Sequence, residues 1–262
     1  MTHLAGRRVW LTGASSGIGA ALAHELATRG ARVAITARRR DALDEVASGA
    51  PHITVMPGDV TDAAAMSAIA ATLEREWGGI DLAILNAGTY RPVTPAQLTA
   101  DVVREHLDVN VMGVVNCLQA VVPPMLTRGD GRIAVVSSVT SFAGLPLAAA
   151  YGASKAFVTS MCDSLRPDLE AQGVGMTVIA PGFVRTPLVG HNAFRMPFMV
   201  EVDAAARIIC DGLEHEKPEI AFPWQMAAFM KLLAAVPGPV RRRYWEGEHS
   251  TRLFPAEPVA PP

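Results

Sequence analysis

Short apolar runs rich in β-branched residues alternate with stretches of helical period almost from one end of the chain to the other. Arg8–Thr12, Arg32–Ala37, Ile53–Met56, Leu82–Leu85, Ile133–Ser137, Met176–Ile179 and Glu219–Phe222 read as strands. Between them Ile18–Arg29, Asp41–Ala47, Asp62–Trp77, a long stretch around Asp101–Leu126, Tyr151–Gln172 and Asp203–Glu214 read as helices. Gly30 closes the first helix, and Thr61 or Asp62 caps the third. Ala83-Ile84-Leu85 and Ile133–Val136 are apolar throughout, as strands covered on both faces must be. The rhythm predicts an α/β fold: one doubly wound parallel sheet with helices on both sides. No linker or repeat interrupts it, so a single domain is expected over 1–254, followed by a disordered Pro-rich tail at 255–262.

The turn between the first strand and first helix reads Thr12-Gly13-Ala14-Ser15-Ser16-Gly17-Ile18-Gly19. Its three glycines let the backbone turn sharply and approach a diphosphate, which the N–H groups of the following helix attract. A glycine-rich turn could simply connect strand to helix, but its place in a βαβ unit makes it a Rossmann-type nucleotide loop. At the end of the second strand an NAD-preferring fold carries a carboxylate for the ribose hydroxyls. Here the chain reads Thr36-Ala37-Arg38-Arg39-Arg40, with no carboxylate before Asp41. Guanidinium at Arg38, then Arg39, would pair with a 2′-phosphate, which favours NADP(H); the remainder of the triplet is a solvated basic turn.

Composition narrows the class. Half of the 262 residues are hydrophobic, 18% are charged and the net charge is −2, which suits no dedicated nucleic-acid binder. Cys117, Cys162 and Cys210 are too few and scattered for a disulfide framework, and Met1–Leu11 has no separate apolar h-region. A cytoplasmic protein is expected. The seven histidines show no metal-ligand spacing, so no metal site is expected.

Tyr151 and Lys155 lie four residues apart, where helical side chains share a face. A nearby ammonium favours phenolate, and a tyrosine so tuned can give a proton to a carbonyl oxygen or take one from an alcohol. Alone the pair is a weak signal. Thirteen residues upstream, however, Ser137-Ser138 ends an apolar strand at the sheet edge where ligands bind. Asn110 sits between Val109 and Val111 inside a predicted helix, Val102–Leu118, where asparagine is unfavourable. It either serves a relay or bonds a neighbouring loop at a kink.

These residues resemble the short-chain dehydrogenase/reductase family over about residues 6–222, in the family's order and spacing: Thr12-Gly-x-x-x-Gly-Ile-Gly19, Asp59-Val60, Asn86-Ala87-Gly88, Asn110, Ser138, Tyr151-x-x-x-Lys155 and Pro181-Gly182. The resemblance implies Tyr151 as acid/base, Ser138 as orienter of the carbonyl and Asn110 as holder of a water in a proton relay. It implies that Lys155 binds the nicotinamide ribose and lowers the Tyr151 pKa. Gly13, Ser15, Ser16, Gly17, Ile18 and Gly19 would hold the diphosphate, Asp59 and Val60 the adenine. Asn86, Ala87 and Gly88 would border the cofactor, with Pro181, Gly182, Val184 and Thr186 near the nicotinamide. Many members carry a second asparagine where this chain has Leu85 or Ala87 beside Asn86. A homodimer or homotetramer packed through the Asp101–Leu126 and Tyr151–Gln172 helices is also implied.

After Thr186 the pattern is no longer diagnostic. Leu188–Val200 carries His191, Phe194, Met196, Phe198 and Met199, and Trp224–Val236 places Trp224, Met226, Phe229, Met230 and Leu233 at helical spacing. Flexible methionines suit a lipophilic ketone, 3-oxoacyl compound or aldehyde, although the same side chains could fill a core or an interface. A peripheral membrane contact through Trp224–Trp245, with Arg241–Arg243 at the headgroups, is a further option. Two other functions compete. A sugar-nucleotide epimerase uses a similar Tyr/Lys pair but expects a longer chain and another glycine spacing. A catalytically dead NADP sensor or scaffold expects loss of Ser138, Tyr151 or Lys155, all of which are present.

Overall fold

The computed structural model of the protein describes residues 3–189 and 196–240. Its sheet is parallel, with strands β1 (Arg8–Thr12), β2 (Arg32–Thr36), β3 (Ile53–Val55), β4 (Leu82–Leu85), β5 (Gly131–Val136), β6 (Val174–Pro181) and β7 (Glu219–Phe222). Their order is β3-β2-β1-β4-β5-β6-β7. The chain winds outward from β1 to β3, then returns to lay β4 on the other side of β1. A crevice therefore opens between the carboxyl ends of β1 and β4.

The period-2 pattern sorts each strand between two cores. Val9 and Leu11 of β1 face α1 (Gly17–Thr28), α2 (Arg40–Ala47) and α7 (Val202–Glu214), whereas Trp10 faces α3 (Ala63–Trp77), α5 (Gly113–Arg128) and α6 (Ala149–Glu170). The Trp10 ring is fully buried, and its N–H donates to Thr36 Oγ1 at 2.9 Å. Asp62, of the two proposed caps, accepts from the Ala65 N–H at 3.0 Å.

Three boundaries differ from the sequence reading in ways that shape the site. The single helix expected over Asp101–Leu126 is α4 (Ala100–Leu107), a π turn at Asp108–Met112, and α5. The wider turn lets Asn110 bond outside its own helix while Gly113 packs on Val60, where a Cβ would sit 2.7 Å from Val60 Cγ2. Helix α6 begins at Ala149 rather than Tyr151, which puts Tyr151 in its first turn. Strand β6 runs on to Pro181, paired with Phe222, so Pro181-Gly182 ends at the crevice rather than in a loop beyond it.

Helix α8 (Trp224–Ala235) buries Met226, Ala227, Met230 and Leu233 against Val139, Ala143, Phe142 and Phe183, and leaves Trp224 and Leu232 outside. The continuous helix Ala100–Arg128 is, among the described residues, long and apolar enough to cross a membrane by length and composition, but half of its apolar window is buried in the protein. His191, Phe194, Arg241–Arg243, Tyr244, Trp245 and the 255–262 tail lie outside the described residues.

Candidate active site

A cleft of about 600 Å³ runs from the glycine loop across the carboxyl ends of β1 and β4 to Lys155. Every residue that the sequence assigned to a cofactor lines it: Gly13, Ser15, Ser16, Gly17, Ile18, Gly19, Arg38, Arg39, Asp59, Val60, Asn86, Ala87, Gly88, Tyr151, Lys155, Pro181, Gly182, Val184 and Thr186. The loop conformation requires glycine at particular atoms. A Cβ at Gly13, whose φ is +68°, would lie 2.6 Å from Ala87 Cα, and one at Gly19 would lie 2.2 Å from the Gly13 carbonyl oxygen. Ser16 stands at the N-cap of α1 without capping it through its side chain, which leaves that helix end open to an anion. The shape and donors of the cleft thus fit a dinucleotide.

Two residues in this wall hold the loop rather than only bordering the space. Asn86 donates its side-chain amide to the Thr12 carbonyl at 3.0 Å and the Gly13 carbonyl at 3.1 Å. Thr12 Oγ1 in turn accepts from the Asn86 and Ala87 N–H groups. Asp59 folds back on its own turn, accepting from Thr61 N–H and Oγ1, while Asn116 fixes the Val60 carbonyl. Arg40 pairs with Asp44 at 3.7 Å and is the arginine of the triplet absent from the cleft. Arg38 and Arg39 are exposed at its rim with no ion pair among the described residues.

Beyond Tyr151 lies a second, smaller pocket of about 60 Å³. Tyr90, Ser138, Val139, Leu145, Phe183, Leu188 and Met226 are among its walls, and it meets the cleft at Tyr151, Gly182, Leu188 and Val189. Tyr151 hydrogen-bonds Ser138, which also accepts from the Thr140 N–H at 3.2 Å. Lys155 donates to the Val136 carbonyl at 2.8 Å, and its Nζ stands 5.7 Å from the Tyr151 ring centroid. Ser137 pins α6 to β5 by donating to the Lys155 carbonyl at 3.0 Å and bonding Thr159. It is a positioning role that a serine at a strand end does not announce in sequence.

Burial dominates the ionisation of this pair. Burial pushes the phenol up to about 12, opposed only by the Ser138 hydrogen bond, and burial pulls the ammonium down to about 8. Desolvation wins because Lys155 is buried and directs its charge at the Val136 carbonyl rather than at the phenol. Asn110 bonds a neighbouring loop at the break in its helix, one of the two roles open to it. Its Oδ1 accepts from the Thr89 N–H at 2.7 Å, and its Nδ2 donates to the Thr89 carbonyl at 3.0 Å and to Ser154 Oγ at 2.9 Å. Fully buried and spent on a neighbouring loop, that side chain has no donor left for a water. Among the described residues no cluster of three His, Cys, Asp or Glu side chains could hold a metal.

Tyr90 was missed. Its ring meets Tyr151 edge to face, centroids 5.0 Å apart at 68°, yet a loop tyrosine four positions after Asn86 carries no sequence signal of that contact.

A family model described as short chain dehydrogenase matches residues 7–194. An uncharacterized oxidoreductase of Myxococcus xanthus is 38% identical over 244 residues, covering 92% of this chain and 96% of its own. A short chain dehydrogenase from Burkholderia cenocepacia, solved in complex with NADP, superposes with a TM-score of 0.83 at 26% identity, over 94% of this chain and all of its own. A short-chain dehydrogenase from Streptomyces avermitilis superposes with a TM-score of 0.79 at 27% identity, over 94% of this chain and 97% of its own.

Proposed function

The chain belongs to the short-chain dehydrogenase/reductase family of oxidoreductases, and on that premise we propose that it is an NADP(H)-dependent reductase of lipophilic carbonyl compounds. The observation that carries the reading is the placement of Tyr151, bonded to Ser138 and backed by Lys155, where the dinucleotide-shaped cleft opens into an apolar pocket. A nicotinamide held in the cleft would supply or accept the hydride. Ser138 Oγ donates to the substrate oxygen and holds it beside the phenol. Tyr151, with its pKa near 12, keeps its proton at neutral pH and delivers it to that oxygen as negative charge develops there. That protonation state is the one a carbonyl reduction starts from. Lys155, still cationic below about pH 8, stands on the cleft wall beside Tyr151, where it is placed to bond a ribose hydroxyl.

Arg38 and Arg39 support the NADP preference, since they stand at the cleft rim beyond β2 without an ion pair among the described residues, and the Burkholderia neighbour was solved with NADP. Val139, Leu145, Phe183, Leu188 and Met226 support a lipophilic ketone, 3-oxoacyl or aldehyde substrate. Three buried, unpaired cysteines whose thiols burial pushes up to about 12 fit a cytoplasmic setting. Exposed Met112, Phe157 and Leu165 on the adjoining π turn and α6 fit a homo-oligomer packed through these helices.

The test is NADPH oxidation over ketones and aldehydes of graded chain length. Tyr151→Phe is expected to lower turnover about 10²–10⁴-fold; unchanged turnover overturns the mechanism. Arg38→Ser with Arg39→Ser is expected to weaken kcat/KM for NADPH by about 10–100-fold, as loss of one or two charge-assisted bonds implies, and to leave NADH use nearly unchanged. A wild-type preference for NADH overturns the cofactor assignment.

A further inference from the structure

Two fully buried polar side chains one helical turn apart, His106 and Asn110, face the same short loop. Asn110 holds Thr89 by both its N–H and its carbonyl. His106 holds the next residue but one: its Nε2 accepts from the Arg91 N–H at 3.1 Å, while Nδ1–H donates to the Val102 carbonyl at 2.8 Å. That pairing assigns the neutral Nδ1–H tautomer, because Nε2 must present its lone pair to a backbone donor. The residue between the two anchors is Tyr90, whose ring stands against Tyr151 and walls the small pocket. The Arg91–Glu105 ion pair at 3.8 Å joins half-exposed groups in solvent, so it fixes little.

We propose that Tyr90 is a specificity-determining wall of the substrate pocket, and that His106 is a positioning residue that sets this wall through the Arg91 backbone. The inference rests on the reading of Tyr151 as the reacting acid. An edge-to-face contact keeps its preferred geometry only while both rings are held. Tyr151 is held by α6, and Tyr90 is held by its backbone on either side. Releasing the Arg91 N–H removes one of the backbone bonds that flank Tyr90 and loosens its ring against Tyr151, which opens the pocket to bulkier carbonyl compounds.

Two replacements separate positioning from mere packing. In His106→Gln the amide oxygen reaches the place of Nε2 and keeps the Arg91 bond. In His106→Asn the shorter amide keeps the Val102 bond and loses Arg91. Butanone and acetophenone serve as the small and bulky probes, with NADPH as reductant. Tyr90→Ala is expected to raise the acetophenone-to-butanone ratio of kcat/KM at least tenfold, through KM. His106→Asn is expected to raise it at least threefold, His106→Gln to stay within twofold of wild type, and Tyr90→Ala with His106→Asn to match Tyr90→Ala alone. Amide hydrogen exchange at Arg91 is expected to quicken in His106→Asn and not in His106→Gln, a readout that needs no turnover. An unmoved ratio in Tyr90→Ala, additive effects in the double variant, or slow Arg91 exchange in His106→Asn overturns the inference. A Tyr151→Phe variant that retains turnover overturns the reading beneath it instead.

Discussion

Lys155 shows what a single residue costs the fold in exchange for function. Its ammonium is buried, donates to the Val136 carbonyl, and has its pKa lowered to about 8 from 10.5. Holding that charge inside the cofactor-free protein at pH 7 costs roughly 3 kcal/mol. Because the folded pKa lies below the unfolded one, the unfolded chain binds more protons between about pH 8 and 10.5, and this residue's contribution to stability rises with pH across that window. Lys155→Met is therefore expected to raise the melting temperature of the cofactor-free protein by a few degrees at pH 7, with the advantage shrinking toward pH 10. The same variant is expected to lose about 10²–10⁴-fold in kcat/KM. Scanning fluorimetry at several pH values, beside NADPH turnover, checks both; a variant that melts lower at pH 7 contradicts the cost assigned to the charge.

At the scale of elements, the glycine loop and the π turn differ in how far they could be read from the chain. The loop was legible because its constraint is local. Gly13 needs a positive φ, and Gly19 must pass against its neighbours' backbone. Gly19→Ala is expected to weaken NADPH binding at least 10²-fold and to destabilise the fold by about 1–3 kcal/mol, as overpacking does. Gly144, whose Cβ would meet nothing within 4 Å, is the neutral control when replaced by alanine. Fluorescence titration of NADPH decides between them, and equal behaviour of the two variants contradicts the close approach at Gly19. The break in the helix around Asn110 was not legible as a π turn. An unfavourable asparagine marked the place, but its partners Thr89 and Ser154 stand 21 and 44 residues away. Partners far off in sequence likewise hid the contact of Tyr90 with Tyr151 and the bonds of Ser137 to α6. The start of α6 moved by two residues for a milder reason: alanines at 148–150 carry no cap signal to fix the boundary.

For the whole molecule, the proposed oligomer follows from what the two cores leave uncovered. Phe157 is 53% exposed and Met112 48% exposed, and Leu165 on the same helix as Phe157 is exposed as well. Phe157→Asp is expected to shift the protein to a monomer in sedimentation equilibrium while its helix content by circular dichroism stays unchanged. A wild-type monomer at micromolar concentration would show that these side chains serve no such interface.

The sequence by itself determined the parallel sheet, the nucleotide loop and the Tyr151/Lys155 spacing, because hydrophobic period and tight-turn chemistry are settled by residues a few positions apart. It also singled out Arg38 and Arg39, though only the fold set Arg40 apart on Asp44. What the tertiary structure alone decided is the state of the site. Burial, not the neighbouring ammonium, governs where the Tyr151 proton resides, and Asn110 is consumed by a loop. Desolvation and cross-chain hydrogen bonds depend on every segment that closes around a group, and no local pattern encodes that enclosure.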